Sequence, residues 1–358
     1  MKNKMYLFVF LIISVFIIGI VITKTSKSTI FCESIEKTIA DSVFVLKNKI
    51  SLNQATKDSY FSDQAVVYVN EEWNSIFIAS FGYSIKQFDL NGSFIRSIGA
   101  EGEGPGEYKL IQSIFKLGNN MAFYDKTLNK ILLYNKNGEF VKYFKTRHSD
   151  IRNFVQNGKE VFYFKPFNSG NKYTVEKTDT TFLSSTDLIK GPDQYYGFAD
   201  YHFVDGGIVF NGTKLYEINS LSGNILNSYD IISNKYEKIQ LPSSDLYYLP
   251  QEYKDYKFTN ADNFFKTIDF MPMIPQLYMV EGQYLIIQYQ STKNDLKISR
   301  YGIYDLINKK AYSTKVIPFR CQSGNKFYSL EFSFNISNMK LNVSKVTLNI
   351  YQFNNKAL

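Results

Sequence analysis

Side chains suited to acid–base or metal chemistry are few in this chain. The sequence contains only two histidines, His148 and His202. Asp150, Asp200 or Glu107 would have to supply a third ligand for a zinc ion or a carboxylate partner for proton transfer. An isolated histidine is more often a surface or strand-end residue with one hydrogen bond. The sequence therefore predicts no metal, no cofactor and no catalytic residue.

The segment Gly99–Tyr108 is the most distinctive run of residues. It reads Gly-Ala-Glu-Gly-Glu-Gly-Pro-Gly-Glu-Tyr, and its glycine spacing differs from that of a phosphate-binding loop. Its three carboxylates, Glu101, Glu103 and Glu107, would repel phosphate. Pro105 fixes one backbone angle and the glycines relax others, which is typical of a tight connection between strands.

The elements that would position these residues are predicted to be β-strands. Aromatic residues make up 17% of the chain, and Phe and Tyr favour pleated, half-buried surfaces. Residues 85–95 and 131–141 form a repeat with an offset of 46, each with Asn-Gly between two apolar runs, a strong hairpin signal that predicts positive φ at both turn residues. Weaker copies occur at 215–226 and 302–312. In the second unit we predict strands at 110–117, 121–125, 130–135 and 139–145.

A repeat of this length with four strands is typical of a propeller blade. The sequence predicts an all-β fold, a single six-bladed β-propeller of four-stranded blades over residues 61–358, although five or seven blades remain open. Residues 243–275 lack strand alternation and are interpreted as a partly helical insertion between blades. A strand near Thr38–Leu46 is expected to close the last blade by pairing with residues 325–351, because closure removes exposed sheet edges.

The motif Gly102-Glu-Gly-Pro-Gly-Glu-Tyr108, followed by an apolar strand, a strand ending in Asp and an Asn-Gly hairpin, resembles the NHL-like six-bladed propeller family. It is most similar to the bacterial secreted or lipoprotein branch, which carries Gly-x-Gly-Pro-Gly-Glu-Phe/Tyr. The resemblance is specific over residues 61–145 and architectural beyond them. It implies the fold and an envelope location. It implies no single reaction, since NHL-type propellers include metal-dependent lyases as well as proteins that bind proteins or RNA.

Blade topology predicts where a site would lie. In four-stranded blades the connections from each outer strand to the next inner strand all emerge on one face, where variable loops on a rigid scaffold commonly bind ligands. Segments 147–150, 195–202 and 319–321 would then meet at one mouth of the channel, partly roofed by 243–275. The candidate ligand-binding residues are Glu103, Glu107, Arg147, His148, Asp150, Tyr195, Tyr196, His202 and Arg320.

The N-terminus predicts export. After Lys2 and Lys4, residues 5–22 are apolar except for Ser14 and Gly19, which is just long enough to cross a bilayer as a helix. Residues 1–23 are interpreted as a signal peptide or an uncleaved signal anchor, and 24–60 as a stalk with a possible closing strand. Cys32 follows the bulky Phe31, which argues against lipidation, and a Cys32–Cys321 disulfide stays open.

Charge and composition limit the possible partners. The net charge is +8, but the cations are scattered, whereas nucleic-acid grooves need clustered cations. We therefore expect an envelope-located, non-catalytic propeller that binds a polar ligand, namely a carbohydrate, a peptide or an envelope protein. No nucleic-acid partner is expected, and membrane contact would be through the N-terminal segment. The alternative is an NHL-type hydrolase or lyase using His148, His202 and a carboxylate.

Overall fold

Six sheets, each built on four antiparallel strands, are arranged in chain order in the computed structural model, and two of them gain a fifth, parallel strand from the N-terminal part of the chain. The inner strands contact each other from the first sheet to the fifth, and the sixth contacts the first. Hydrogen bonds between Met279 and Gln322 join the fifth inner strand to the sixth and close the ring. The all-β six-bladed propeller predicted from the sequence is confirmed. The structure describes residues 29–30, 35, 37–38, 43–61, 65–165, 172–191, 205–242, 273–293, 296–337 and 340–358.

The strands of blades 1 to 3 follow the repeat pattern, in order from the inner strand of each blade to its outer strand. Blade 1 consists of Ala65–Asn70, Ser75–Ser80, Ile85–Asp89 and Phe94–Ile98. Blade 2 consists of Ile111–Leu117, Asn120–Asp125, Lys130–Tyr134 and Phe140–Lys145. Blade 3 consists of Asn153–Asn157, Glu160–Phe164, Tyr173–Asp179 and Ser185–Lys190. The four strands predicted for blade 2 agree to within a residue at each end.

Blades 4 to 6 complete the ring, and the longest strands lie in blades 5 and 6. Blade 4 consists of Gly206–Phe210, Lys214–Asn219, Ile225–Asp230 and Lys235–Gln240. Blade 5 consists of Met273–Val280, Tyr284–Lys293, Leu296–Asp305 and Lys310–Lys315. Blade 6 consists of Phe319–Ser323, Lys326–Ser337, Lys340–Phe353 and, as its outer strand, Phe44–Leu52. Residues 273–275, predicted to be part of the insertion, thus belong to an inner strand, and 243–272 lie outside the described residues.

The N-terminal part of the chain runs along the rim of three blades. Phe44–Leu52 pairs antiparallel with Lys340–Phe353 and so joins the two ends of the ring. Lys37–Thr38, expected near the closing strand, instead pairs in parallel with the outer strand of blade 5. Thr29–Ile30 pairs in parallel with the outer strand of blade 4. Within the described residues no helix is long and apolar enough to span a bilayer.

Side-chain caps explain the sharp turns between third and outer strands. In blades 1 to 5 an Asp or Asn at the end of the third strand accepts a hydrogen bond from the backbone N–H two residues later, at 2.8–3.1 Å. Only the glycine of each Asn-Gly pair has positive φ, 88° at Gly92 and 77° at Gly138. The prediction that both residues of the pair take positive φ is therefore wrong. The side chain of Asp89 or Asn135 caps the turn and stabilises a turn longer than the two-residue one.

The core is distributed between the blades. Each cluster of buried apolar side chains lies between two neighbouring blades, and six such clusters complete the circle. Aromatic rings fill much of this volume: Phe44, Phe319 and Phe327 pack with centroids about 5 Å apart between blades 5 and 6. Paired edge-to-face rings stabilise beyond their burial. This rigid ring positions the loops at either face of the disc.

Candidate functional site

A cavity of about 410 Å³, lined by both polar and apolar residues, lies where the six inner strands begin. We call this side of the disc the mouth face and the opposite side the far face. All six blades contribute to the cavity wall, chiefly through the first residues of their inner strands. The lining includes Tyr68, Gln112, Arg152, Asn153, Asp205, Gln276, Tyr278, Arg320 and Cys321. Because the connections from outer to inner strands reach the same face, this mouth cavity lies where the topology predicted a site.

Charged groups in and beside the cavity form a connected network around Asp150. Its carboxylate, 4% exposed, is 2.5 Å from Lys126 Nζ and 3.4 Å from Arg152 Nη2. Arg152 Nη1 is also 3.7 Å from Asp205 Oδ1, and Gln112 Nε2 donates to Asp150 Oδ1 at 3.3 Å. Burial raises the pKa of the Asp205 carboxyl, which Arg152 partly counteracts and Asp150 reinforces. Two cations, Lys126 and Arg152, therefore contact two carboxylates, and Arg320 adds a third cation to the cavity lining.

The connection between blades 2 and 3 fixes the position of Asp150. Asp150 adopts φ +64°, a left-handed conformation that Asp tolerates better than most residues. Thr146 Oγ1 donates to the carbonyl of His148 at 2.9 Å, and Ile151 is fully buried. This short, bonded connection turns the Asp150 carboxylate inward beneath the cavity rather than out to solvent.

Neutral groups complete the wall. The Asn153 side chain donates to Ile208 O at 2.7 Å and accepts from Ile208 N at 3.2 Å, which ties blade 3 to blade 4. Burial raises the pKa of the Cys321 thiol to about 12, so the thiol is protonated at neutral pH and is a poor nucleophile. Burial likewise raises the pKa of Tyr68 to about 12. These groups suit hydrogen bonding to a ligand.

His148 belongs to a separate ion cluster on blade 3, which we define as His148, Lys165, Glu176 and Asp187. His148 Nε2 is 2.9 Å from Glu176 Oε2, and Lys165 Nζ is 2.8 Å from both Glu176 Oε2 and Asp187 Oδ1. Lys165 and Glu176 are each 3% exposed. Burial opposes ionisation of Glu176, but hydrogen bonds from His148 and Lys165 prevail and hold its pKa well below its usual range.

Two carboxylates of the glycine-rich loop, those of Glu103 and Glu107, make contacts within the loop or with the residue that follows it. Glu107 Oε2 accepts a hydrogen bond from Gly104 N at 2.8 Å, and a Cβ at Gly102 would collide with the same oxygen. Lys130 Nζ donates to Gly104 O at 2.9 Å, while Glu103 is 3.8 Å from Lys109 Nζ. None of these residues lines the mouth cavity. The loop acts as a braced connection, as the sequence predicts.

Removal of the Tyr108 hydroxyl should destabilise this loop. The buried hydroxyl accepts from Ile85 N at 2.6 Å and donates to Ile98 O at 2.9 Å. Tyr108→Phe leaves both groups without that partner, so we expect a loss of about 1–3 kcal/mol in the free energy of unfolding. Urea denaturation measures this loss, and Tyr143→Phe, at an exposed tyrosine of blade 2, is the control. Equal effects of the two substitutions would refute the bracing role.

The structure brings together only some of the nine candidate residues. Arg320 lines the mouth cavity, Asp150 lies beneath it, and His148 lies in the blade 3 ion cluster. Arg147 is exposed, and Glu103 and Glu107 lie in the glycine-rich loop. Tyr195, Tyr196 and His202 fall outside the described residues.

Several residues of the site were missed from the sequence: Gln112, Lys126, Arg152, Asn153, Asp205 and Gln276. Most of them share one signal, a polar residue at or just before the start of an otherwise apolar inner strand. This signal is hard to detect because each blade contributes only one or two such residues. In the described part of the chain no group of three His, Cys, Asp or Glu side chains could hold a metal ion.

Comparison with known proteins identifies the family. Residues 24–341 match the family of six-bladed β-propellers designated DUF5128, and the chain belongs to this family. No curated protein matches it significantly.

Two solved structures share the fold. One is a protein of Bacteroides fragilis NCTC 9343 whose export has been inferred; at 18% identity and a TM-score of 0.61 it covers 89% of this chain and 98% of its own. The other is a DUF4221 member from Bacteroides vulgatus ATCC 8482, at 12% identity and a TM-score of 0.58, covering 86% and 97%. At these identities the likeness concerns the fold alone.

Proposed function

We propose that this chain is an exported propeller of the cell envelope that binds a polar ligand in the mouth cavity. The apolar run at residues 5–22 supports export, as does the inferred export of the Bacteroides fragilis relative. The resemblance of residues 61–145 to the NHL-like secreted branch points the same way. Binding would take place without catalysis, with a carbohydrate, a peptide or an envelope protein as the partner.

The observation that carries this proposal is the convergence of all six blades on one cavity whose wall contains charged and amide side chains. Its volume falls within the range usual for small-ligand sites. Arg152 belongs to blade 3 and Arg320 to blade 6, so in a ring of six they approach from opposite sides. Guanidinium groups bind carboxylates with good geometry, and amides such as Gln112 suit hydroxyls. An acidic sugar or a peptide with an exposed carboxylate fits this combination best.

A thermal-shift comparison tests the class of ligand. The full chain, purified in detergent, would be melted with uronic-acid oligosaccharides, their neutral counterparts, and peptides with free or amidated C-termini. A ligand that prefers the folded state raises the melting temperature. We expect shifts with the acidic members of each pair and smaller shifts or none with the neutral members. Equal shifts within every pair would contradict a role for the arginines.

The alternative, a hydrolase or lyase, has one contact in its favour, that between His148 and Glu176. The same Glu176 oxygen is held by Lys165, an arrangement that suits a structural ion cluster better than a general base. We therefore propose that the blade 3 ion cluster fastens the connection between blades 2 and 3. His148→Gln should then lower thermal stability without changing ligand affinity.

A further inference from the structure

The turns between third and outer strands differ in chemistry around the ring. The residue two positions after the capping Asp or Asn is Asn91 in blade 1 and Asn137 in blade 2, but Ile232 in blade 4 and Ile307 in blade 5. In blade 3 the same turn carries Leu183. The aliphatic side chains of Leu183, Ile232 and Ile307 are 81%, 80% and 69% exposed, respectively.

All three side chains lie on the far face, because third strands run away from the mouth. Single exposed apolar residues need no explanation, but here they occupy one turn in three successive blades. Exposed lysines lie beside them at the start of the outer strands of blades 4 and 5, namely Lys235, Lys309 and Lys310. Aliphatic tips flanked by lysines are suited to the surface of a bilayer that contains anionic lipid.

The direction of the N-terminal strand leads to the same face. Thr29 pairs in parallel with Ile239 on the outer strand of blade 4, which runs from the far face to the mouth. Thr29–Ile30 thus runs away from the far face, and the apolar run of the sequence ends at Ile22, seven residues before Thr29.

We propose that the far face of blades 3 to 5 rests on the membrane in which residues 5–22 are embedded, with the mouth cavity facing away from it. The proposal rests on the proposed envelope location and adds the orientation of the site. The occupant of the aliphatic patch is the lipid surface. Only six residues separate Ile22 from Thr29 in the sequence, which would limit the distance between the far face and the bilayer, and the ligand would arrive from the side opposite the bilayer.

Quenching of a single tryptophan by brominated lipid tests the orientation. Trp73 is the only tryptophan of the chain, so Trp73→Phe gives a background for two probes. Ile307→Trp places a probe on the far face, and Phe81→Trp places one in the turn after the second strand of blade 1, on the mouth face. Both original side chains are 69% exposed, which makes the probes a matched pair. Each full-length variant is reconstituted into vesicles of brominated phosphatidylcholine with an anionic lipid, and its folding is checked by thermal melting.

We expect the Ile307→Trp probe to be quenched and the Phe81→Trp probe to emit as it does in vesicles without bromine. Equal quenching of both probes, stronger quenching of Phe81→Trp, or no quenching of either in vesicle-bound protein would overturn the orientation alone. Failure of the chain to float with the vesicles would overturn both the orientation and membrane anchoring through residues 5–22.

Discussion

Replacing Phe44 with alanine should lower the free energy of unfolding by about 3–5 kcal/mol, the usual cost of deleting a buried aromatic ring. Phe44 is 4% exposed and begins the strand that closes the propeller. Its ring lies 5.0 Å from Phe319 and 5.1 Å from Phe327, centroid to centroid. Loss of the ring removes packing and weakens the junction between the two ends of the chain.

Urea denaturation of the wild type and two variants measures the effect of Phe44. Leu46→Ala is the matched control, since Leu46 lies on the same strand and is 43% exposed, so its loss should change the free energy by less than about 0.5 kcal/mol. Similar small effects of both substitutions would show that this strand does not close the ring. A large effect of Phe44→Ala alone supports closure through Phe44–Leu52.

Replacing Lys165 with methionine should also cost about 3–5 kcal/mol, because it leaves the Glu176 carboxylate buried without its cation. Glu176 would retain its contact with His148, whose side chain is one-third exposed. The double variant Lys165→Met/Glu176→Met removes both charges and should recover most of the loss, since apolar pairs often replace buried ion pairs without penalty. A single variant as stable as the wild type would contradict the structural role of the cluster.

The pH dependence of stability gives an independent check on Glu176. Its pKa is lowered by folding, so its contribution is fully present above its unfolded pKa, near 4.5, and is lost as pH falls below that value. In Lys165→Met the Glu176 carboxyl loses one of its main hydrogen-bond donors, so its pKa should rise. The difference in stability between wild type and variant should therefore be largest near pH 7 and shrink below about pH 4.5. A difference independent of pH would argue against ionisation of Glu176.

Local sequence signals were sufficient for the architecture because each blade is encoded within one repeat. The Asn-Gly turns at 91–92 and 137–138 located two blades, and strand alternation in blade 2 placed its strands nearly to the residue. The N-terminal belt was harder to predict. Lys37–Thr38 and Phe44–Leu52 pair with strands about 275–310 positions away, and short segments carry no local indication of such partners.

The site was only partly predictable for a related reason. Topology alone placed Asp150 and Arg320 on one face, since Asp150 lies in a connection between blades and Arg320 is the second residue of an inner strand. Arg152 and Asp205 were missed because each is a single polar residue whose partner comes from another blade. Glu176 was missed because its contact with Lys165 depends on strand register, in which Phe164 pairs with Val175. Blade 3 carries the weakest form of the repeat, so that register could not be read from the sequence.

Isothermal titration of the best acidic ligand against three variants is the most direct test of the mouth cavity as the binding site. Arg320→Gln removes an exposed guanidinium from the cavity wall, and the loss of a charge-assisted hydrogen bond should raise Kd by about 10–100-fold. Arg152→Gln should act similarly once thermal melting shows that it is folded. Arg96→Gln, on the exposed outer strand of blade 1, should leave Kd unchanged. Equal affinities in all three variants and the wild type would contradict binding in this cavity.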